Sequence, residues 1–202
     1  MMNLNQDNIQ IKKNDSSNSM VHKNKKINTK DLVITGMFTA IICVMSQLTI
    51  PMQPIPFSLS LFAIFLAGAL LSPRYALLSV LAYILLGAFG APVFANMKGG
   101  FQILIGNTGG YLMAYPIMAF VTAMFYKYIR KYKTLALTLG MIVALIICYL
   151  FGTLWFTIVT GMGFYKALTL CVFPFVLFDS LKIVLAVSVS TVLRKTAFKA
   201  LN

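Results

Sequence analysis

From residue 32 onward the chain runs through six apolar stretches, at 32–50, 58–71, 75–89, 109–126, 135–159 and 173–193, parted by short breaks that hold most of its bases. Few folds accept such a pattern. A helix needs about 20 residues, or as few as about 17, to cross the hydrocarbon core, so the runs predict an all-α membrane protein of six transmembrane helices. With 59% hydrophobic residues, 10% charged residues and no glutamate in 202 positions, the apolar surface exceeds what one water-soluble core can hide. The second and third runs are short, and only Ser72, Pro73 and Arg74 separate them. Merging them would put Pro73 and Arg74 at mid-membrane, so they are read as two helices that either extend at their ends or lie partly within the protein.

A net charge of +13 would point to nucleic acid in a soluble chain, but here the bases sit at the ends of apolar runs and report orientation instead. No nucleic-acid partner is expected. With the N-terminus inside, the inner regions carry Lys12, Lys13, Lys23, Lys25, Lys26 and Lys30, then Arg74, then Lys127, Arg130, Lys131 and Lys133, and finally Arg194, Lys195 and Lys199. The outer loops carry only Lys98 and Lys166. This asymmetry predicts that both the N and C termini are cytoplasmic. Residues 1–30, rich in Asn, Lys and Ser, read as a disordered basic cytoplasmic tail with neither the apolar region nor the cleavage site of a signal peptide, ahead of a membrane domain at 31–202. His22 lies in that tail without ligand-type neighbours, so no metal site is expected there.

Asp179 is the only acid after Asp31, and it falls inside the last apolar run with Lys182 three residues on. Each charge would cost about 2.5 to 3.5 kcal/mol at a helix centre, which marks the pair as a candidate site. Positions i and i+3 share a helix face, so the two can neutralise one another or share a polar ligand. Entering from outside near Phe173, the last helix would place Asp179 roughly 9 Å below its start and Lys182 about 4.5 Å deeper. A ligand would then arrive from outside, which favours uptake over export.

The break between the third and fourth runs, GAFGAPVFANMKGGFQILIGNTGGYL, interleaves glycines with Phe94, Phe101 and Tyr111. It predicts a Gly-rich external loop lying against the bundle as a re-entrant or capping segment. It has no GxxxxGK[ST] pattern, so nucleotide binding is not expected. Cys43, Cys148 and Cys171 are scattered and no histidine lies in the membrane part, leaving no metal or Cys–His set for an enzyme.

The string PIPFSLSLFAIFLAGALL, the loop from APVFANMKGG to TGGYL, then GTLWF and FPFVLFDSLK resemble the BioY family, the biotin-specific S components of ECF (energy-coupling factor) transporters. The resemblance covers roughly residues 31–195. It implies a six-helix bundle with biotin bound near the external face beneath the loop before the fourth helix. By that resemblance Asp179 and Lys182 match the DxxK acid and base facing the ligand. Biotin's ureido ring offers two N–H donors and a carbonyl, and its valerate ends in a carboxylate, so Lys182 can serve the carbonyl, the valerate or only Asp179.

Lys98, preceding Gly99 and Gly100, stands where the family places a variable ligand contact, with Asn96 nearby; Lys98 is a candidate for the valerate or else a solvated loop lysine. Asn107 replaces a usual proline, and Ser60 replaces a frequent glutamine. Trp155 is a candidate to stack on the bicyclic ring or to anchor at the interface; Tyr111 and Phe94 border the loop. On the first helix, Gly36 and Ala40 form a small-xxx-small pair, matching the surface by which S components dock the T component. The resemblance implies a T component and two ATPase subunits that use the ATP, with no cofactor in this chain, in the cytoplasmic membrane of a prokaryote. An S component for riboflavin or thiamin, or a stand-alone secondary carrier using Asp179, remains the alternative.

Overall fold

The computed structural model describes residues 29–129 and 131–196. Most of the segment 1–30, with His22, and the bases Arg130 and Lys199 therefore lie outside the described residues, whereas Thr29 and Lys30 are already helical.

The described chain is mostly helical. In order it forms α1 (Thr29–Gln47), a two-stranded hairpin of β1 (Thr49–Ile50) and β2 (Phe57–Ser58), α2 (Ser60–Leu70), α3 (Pro73–Ala88), a 3-10 turn (Ala95–Met97), α4 (Phe101–Ile105), α5 (Gly109–Tyr128), α6 (Lys133–Thr160), α7 (Phe164–Cys171) and α8 (Phe173–Thr196). The hairpin is antiparallel, with Thr49 opposite Ser58 and Ile50 opposite Phe57. Each apolar run is helical over most of its length, and four pieces appear that periodicity did not announce: the hairpin, which takes the ends of the first two runs, the 3-10 turn, α4 and α7.

Among the described residues four helices, α1, α5, α6 and α8, are long and apolar enough to cross a membrane. α2 has 11 residues and α3 has 16, short of the roughly 20 a span requires. Of the two outcomes left open for the short second run, α2 follows the second: it does not lengthen, and every residue except Phe62 is buried. Pro73 occupies the start of α3, where its missing N–H costs nothing.

The interior is built from α2 and the facing sides of its neighbours. Ile64, Phe65, Tyr83, Met118, Leu137 and Met141 are all buried almost completely. α5 and α6 form the most extensive helix pair, joined by a short connection. The outer faces are also apolar: Leu177, Leu181, Val184, Leu185 and Val192 lie exposed along α8. Large apolar side chains on the outside as well as the inside are what a helix bundle solvated by lipid requires.

At the far end of α8 the Arg194 guanidinium donates through Nε to the Ala69 carbonyl at 2.9 Å, and Nη2 donates to the same oxygen. Ala69 lies in the last turn of α2, whose carbonyls lack intrahelical partners, so Arg194 caps that helix from a neighbour.

Candidate ligand-binding site

Lys182 and Asp179 face the interior on one side of α8, 5% and 4% exposed. Lys182 Nζ donates to Asp179 Oδ1 at 2.8 Å and to the backbone carbonyl of Ser58, at the end of β2, also at 2.8 Å. The ammonium also stands 3.9 Å from the ring centroid of Phe57. The other carboxylate oxygen, Oδ2, accepts the hydroxyl of Tyr149 on α6 at 2.5 Å. Two buried charges carry a desolvation cost of several kcal/mol each, which their mutual pairing, the Ser58 carbonyl and the Tyr149 hydroxyl offset in part. Phe57 in turn stacks on Phe175, 6.3 Å between centroids, and meets the edge of Phe178 at 5.3 Å. Aromatic packing thus fixes the ring beside the ammonium.

The pair lies in the wall of a cavity of about 830 Å³, within the range of roughly 300–1,000 Å³ typical of small-molecule sites. Its walls mix aromatic and apolar groups with a few convergent polar ones, including Ser58, Ser60, Tyr115 and Tyr149. The hydroxyls of Ser58 and Ser60 are 2.6 Å apart, and Ser60 Oγ lies 3.5 Å from Tyr115 Oη.

The segment between α3 and α4 borders the cavity. Phe94 and Lys98 form an isolated antiparallel bridge, with the Phe94 N–H donating to the Lys98 carbonyl at 2.9 Å and the Lys98 N–H donating back at 3.3 Å. Between them, Asn96 (φ 61°) and Met97 (φ 56°) both adopt left-handed backbone. Asparagine tolerates that region, but for methionine it carries strain of a kind found at ligand clamps. Gln47, at the end of α1, holds the turn in place. Its amide donates to the carbonyls of Pro92 and Phe94 at 3.3 and 3.2 Å, and its Oε1 accepts the Met97 N–H at 3.0 Å. Phe94 is buried edge-on against Tyr83 at 5.5 Å, and Tyr83 Oη is 2.9 Å from Ser46 Oγ.

Of the residues singled out from the sequence, Asp179, Lys182, Lys98, Asn96, Tyr111 and Phe94 come together around this cavity, whereas Gly99, Gly100 and Trp155 do not line it. Trp155 lies beneath the loop: its indole N–H donates to the Gly106 carbonyl at 3.1 Å. A Cβ on Gly110 would collide with the Trp155 side chain, so glycine is what lets α5 settle on it. Tyr111 similarly packs over Gly152, its hydroxyl 3.3 Å from Thr153 Oγ1. Lys98 is exposed while lining the cavity, at its rim. Gly36 and Ala40 are exposed on α1, far in sequence from these groups, with open space around Gly36. Sequence reasoning missed Tyr149, Tyr115 and Gln47. The available signal was a polar side chain within, or at the end of, an otherwise apolar run.

Comparison with known proteins gives a consistent answer. The profile of the BioY family matches residues 19–199. The "Biotin transporter BioY" of Thermotoga maritima is 40% identical over 172 residues, covering 82% of this chain and 96% of that protein. The "Probable biotin transporter BioY" of Pyrococcus horikoshii is 34% identical, covering 80% and 94%. Among solved structures, the S-component for biotin from an ECF-type ABC transporter superposes with a TM-score of 0.79 at 27% identity, covering 88% of this chain and 96% of that one.

Proposed function

Because the chain belongs to the BioY family, we propose that it captures biotin in the cavity beside Asp179 and Lys182 and serves biotin uptake as the S component of an ECF transporter. It is a multi-pass membrane transporter component and not an enzyme.

The observation that carries the ligand assignment is the state of hydrogen bonding at the pair. An ammonium has three N–H groups, and Lys182 uses two, on Asp179 and Ser58. A carboxylate offers about four lone-pair sites, and each oxygen of Asp179 has one in use. Apart from the Phe57 ring face beside the ammonium, one donor and two acceptor positions, one on each oxygen, have no partner among the described residues. A ureido ring presents the complement: one carbonyl and two N–H groups. This favours the bicyclic ring at the pair, with the valerate carboxylate reaching toward Lys98 at the rim.

The reading extends to topology and partners. The chain crosses the bilayer six times, with the short α2 buried within the protein and α3 presenting an apolar outer face, both termini cytoplasmic and the loop before α5 capping the cavity from outside. The distribution of bases supports this orientation. The sequence ahead of α1 is rich in Lys, and the membrane domain begins with α1 at Thr29. The exposed Gly36 and Ala40 form a surface on which a T component docks, and two ATPase subunits supply the ATP hydrolysis. The location is the cytoplasmic membrane of a prokaryote, and the chain itself needs no cofactor.

Calorimetric titration of the purified protein with biotin, riboflavin and thiamin tests the assignment. Biotin alone should bind; riboflavin or thiamin binding in its place would overturn it. Biotin uptake by vesicles that contain this chain and no ATPase would favour the stand-alone carrier.

A further inference from the structure

At the end of α8 remote from Asp179, helices α5, α6 and α8 close around a second cavity of about 170 Å³, lined by Tyr126, Lys133, Thr134, Thr191, Arg194 and Lys195. Three bases and no acid line it. Lys133 Nζ stands 4.4 Å from the Tyr126 ring centroid and Arg194 Cζ stands 3.8 Å from it. The two positive groups are thus separated by no more than those distances together, about one Debye length at physiological salt, roughly 8 Å. The described residues contain two acids, Asp31 and Asp179, and Asp179 is engaged with Lys182 at the other end of the helix.

A bias of cations toward one side of the membrane explains why bases gather at this end. The Ala69 carbonyl and the Tyr126 ring hold Arg194 in place, Lys133 stands over the same ring, and two cations brought so close to one ring repel one another. A bound anion removes that repulsion. The surroundings indicate which anion. Tyr128 and Tyr132 are 69% and 59% exposed, with Lys127 and Lys131 over their rings at 5.8 and 5.6 Å, and tyrosine is enriched at headgroup depth. Leu137 lines the cavity beside the bases, and Leu135 on α6 and Val192 on α8, 54% and 59% exposed, present apolar side chains on the outer faces of the same helices. A ligand there meets positive charge at one end and hydrocarbon at the other.

We propose that this cavity binds the phosphate of an anionic phospholipid headgroup, held by Lys133, Arg194 and Lys195 with the Thr134 hydroxyl as a further donor. Basic pockets between membrane helices suit such headgroups on general electrostatic grounds.

The full-length protein, reconstituted with phosphatidylcholine alone or with phosphatidylglycerol added, tests this by native mass spectrometry of the lipid retained on extraction. Wild type should keep phosphatidylglycerol in preference to phosphatidylcholine. Lys133→Gln with Lys195→Gln should reduce that retention roughly thirtyfold, at about 1 kcal/mol per lysine, and Lys133→Gln alone should reduce it in part. Lys127→Gln with Lys131→Gln, which removes the same charge outside the cavity, should leave it intact. Both lysines of the first pair are exposed, and an unchanged thermal midpoint verifies the fold. Equal loss in the two double variants, or no loss in the first, overturns the proposal. Displacement of the lipid by millimolar inorganic phosphate also overturns it, in favour of a site for free phosphate.

Discussion

Tyr149 on α6 donates its hydroxyl hydrogen to Oδ2 of Asp179 on α8 across 2.5 Å. The carboxylate is therefore fixed from a neighbouring helix as well as by Lys182 on its own helix, and its remaining lone pairs keep a set direction in the cavity wall. An ion pair confined to one helix would leave the side chains free to swing together.

Tyr149→Phe removes that donor and leaves Oδ2 buried without it. Loss of a hydrogen bond to a charged group is worth about 1.5–3 kcal/mol. The ligand-free protein should melt at a lower temperature in detergent, and biotin should bind more weakly. An unchanged midpoint together with an unchanged titration curve would show that the contact is dispensable.

Asp179→Asn and Lys182→Ala should each weaken biotin binding at least tenfold, about 1.4 kcal/mol. Stability separates binding from scaffolding. Lys182→Ala strands a buried carboxylate, at about 3–5 kcal/mol, whereas Asp179→Asn combined with Lys182→Met leaves no charge to strand. The double variant should recover most of the lost thermal stability and none of the affinity; wild-type affinity in it would reduce the pair to a structural link.

Gln47→Ala should act on the rate of escape. Its three bonds to the turn that carries Phe94 and Met97 keep the strained backbone in position, and losing about 1 kcal/mol of net hydrogen bonding should speed biotin dissociation roughly fivefold. The association rate should change little. Stopped-flow displacement measures both, and an effect confined to association would contradict the role.

Lys98→Gln should weaken biotin by about threefold, consistent with an exposed ion pair worth up to about 1 kcal/mol. The amide of biotin, which lacks the carboxylate, should bind wild type and variant alike. Equal losses for both ligands would place the valerate elsewhere.

Much of the bundle was legible because a helix in lipid must carry a long apolar run. The run at 109–126 became α5 (Gly109–Tyr128) and that at 173–193 became α8 (Phe173–Thr196). Asp179 and Lys182 were legible for the same reason, as charges where charge is costly. Tyr149 and Tyr115 were not, since a tyrosine in a membrane helix is compatible with the interface, and only the packing of α6 and α5 turns these two inward. The hairpin escaped because strands of two residues carry no period. Gln47 escaped because its partners lie 45 to 50 residues away. Its polarity at the end of an apolar run was a local signal, but nothing local shows which distant loop such a side chain holds.

Lys182 and Arg194, two of the three cations of α8, act at opposite ends of α2. Lys182 grips the carbonyl just before α2, and Arg194 grips one in its last turn, so the shortest of the helices formed by the six apolar runs is riveted at both ends to the longer one beside it. Sliding or tilting α8 alone would shear both rivets. The two helices constitute one mechanical member, and a movement that carries bound ligand through the membrane must carry α2 and α8 together or break one of these joints.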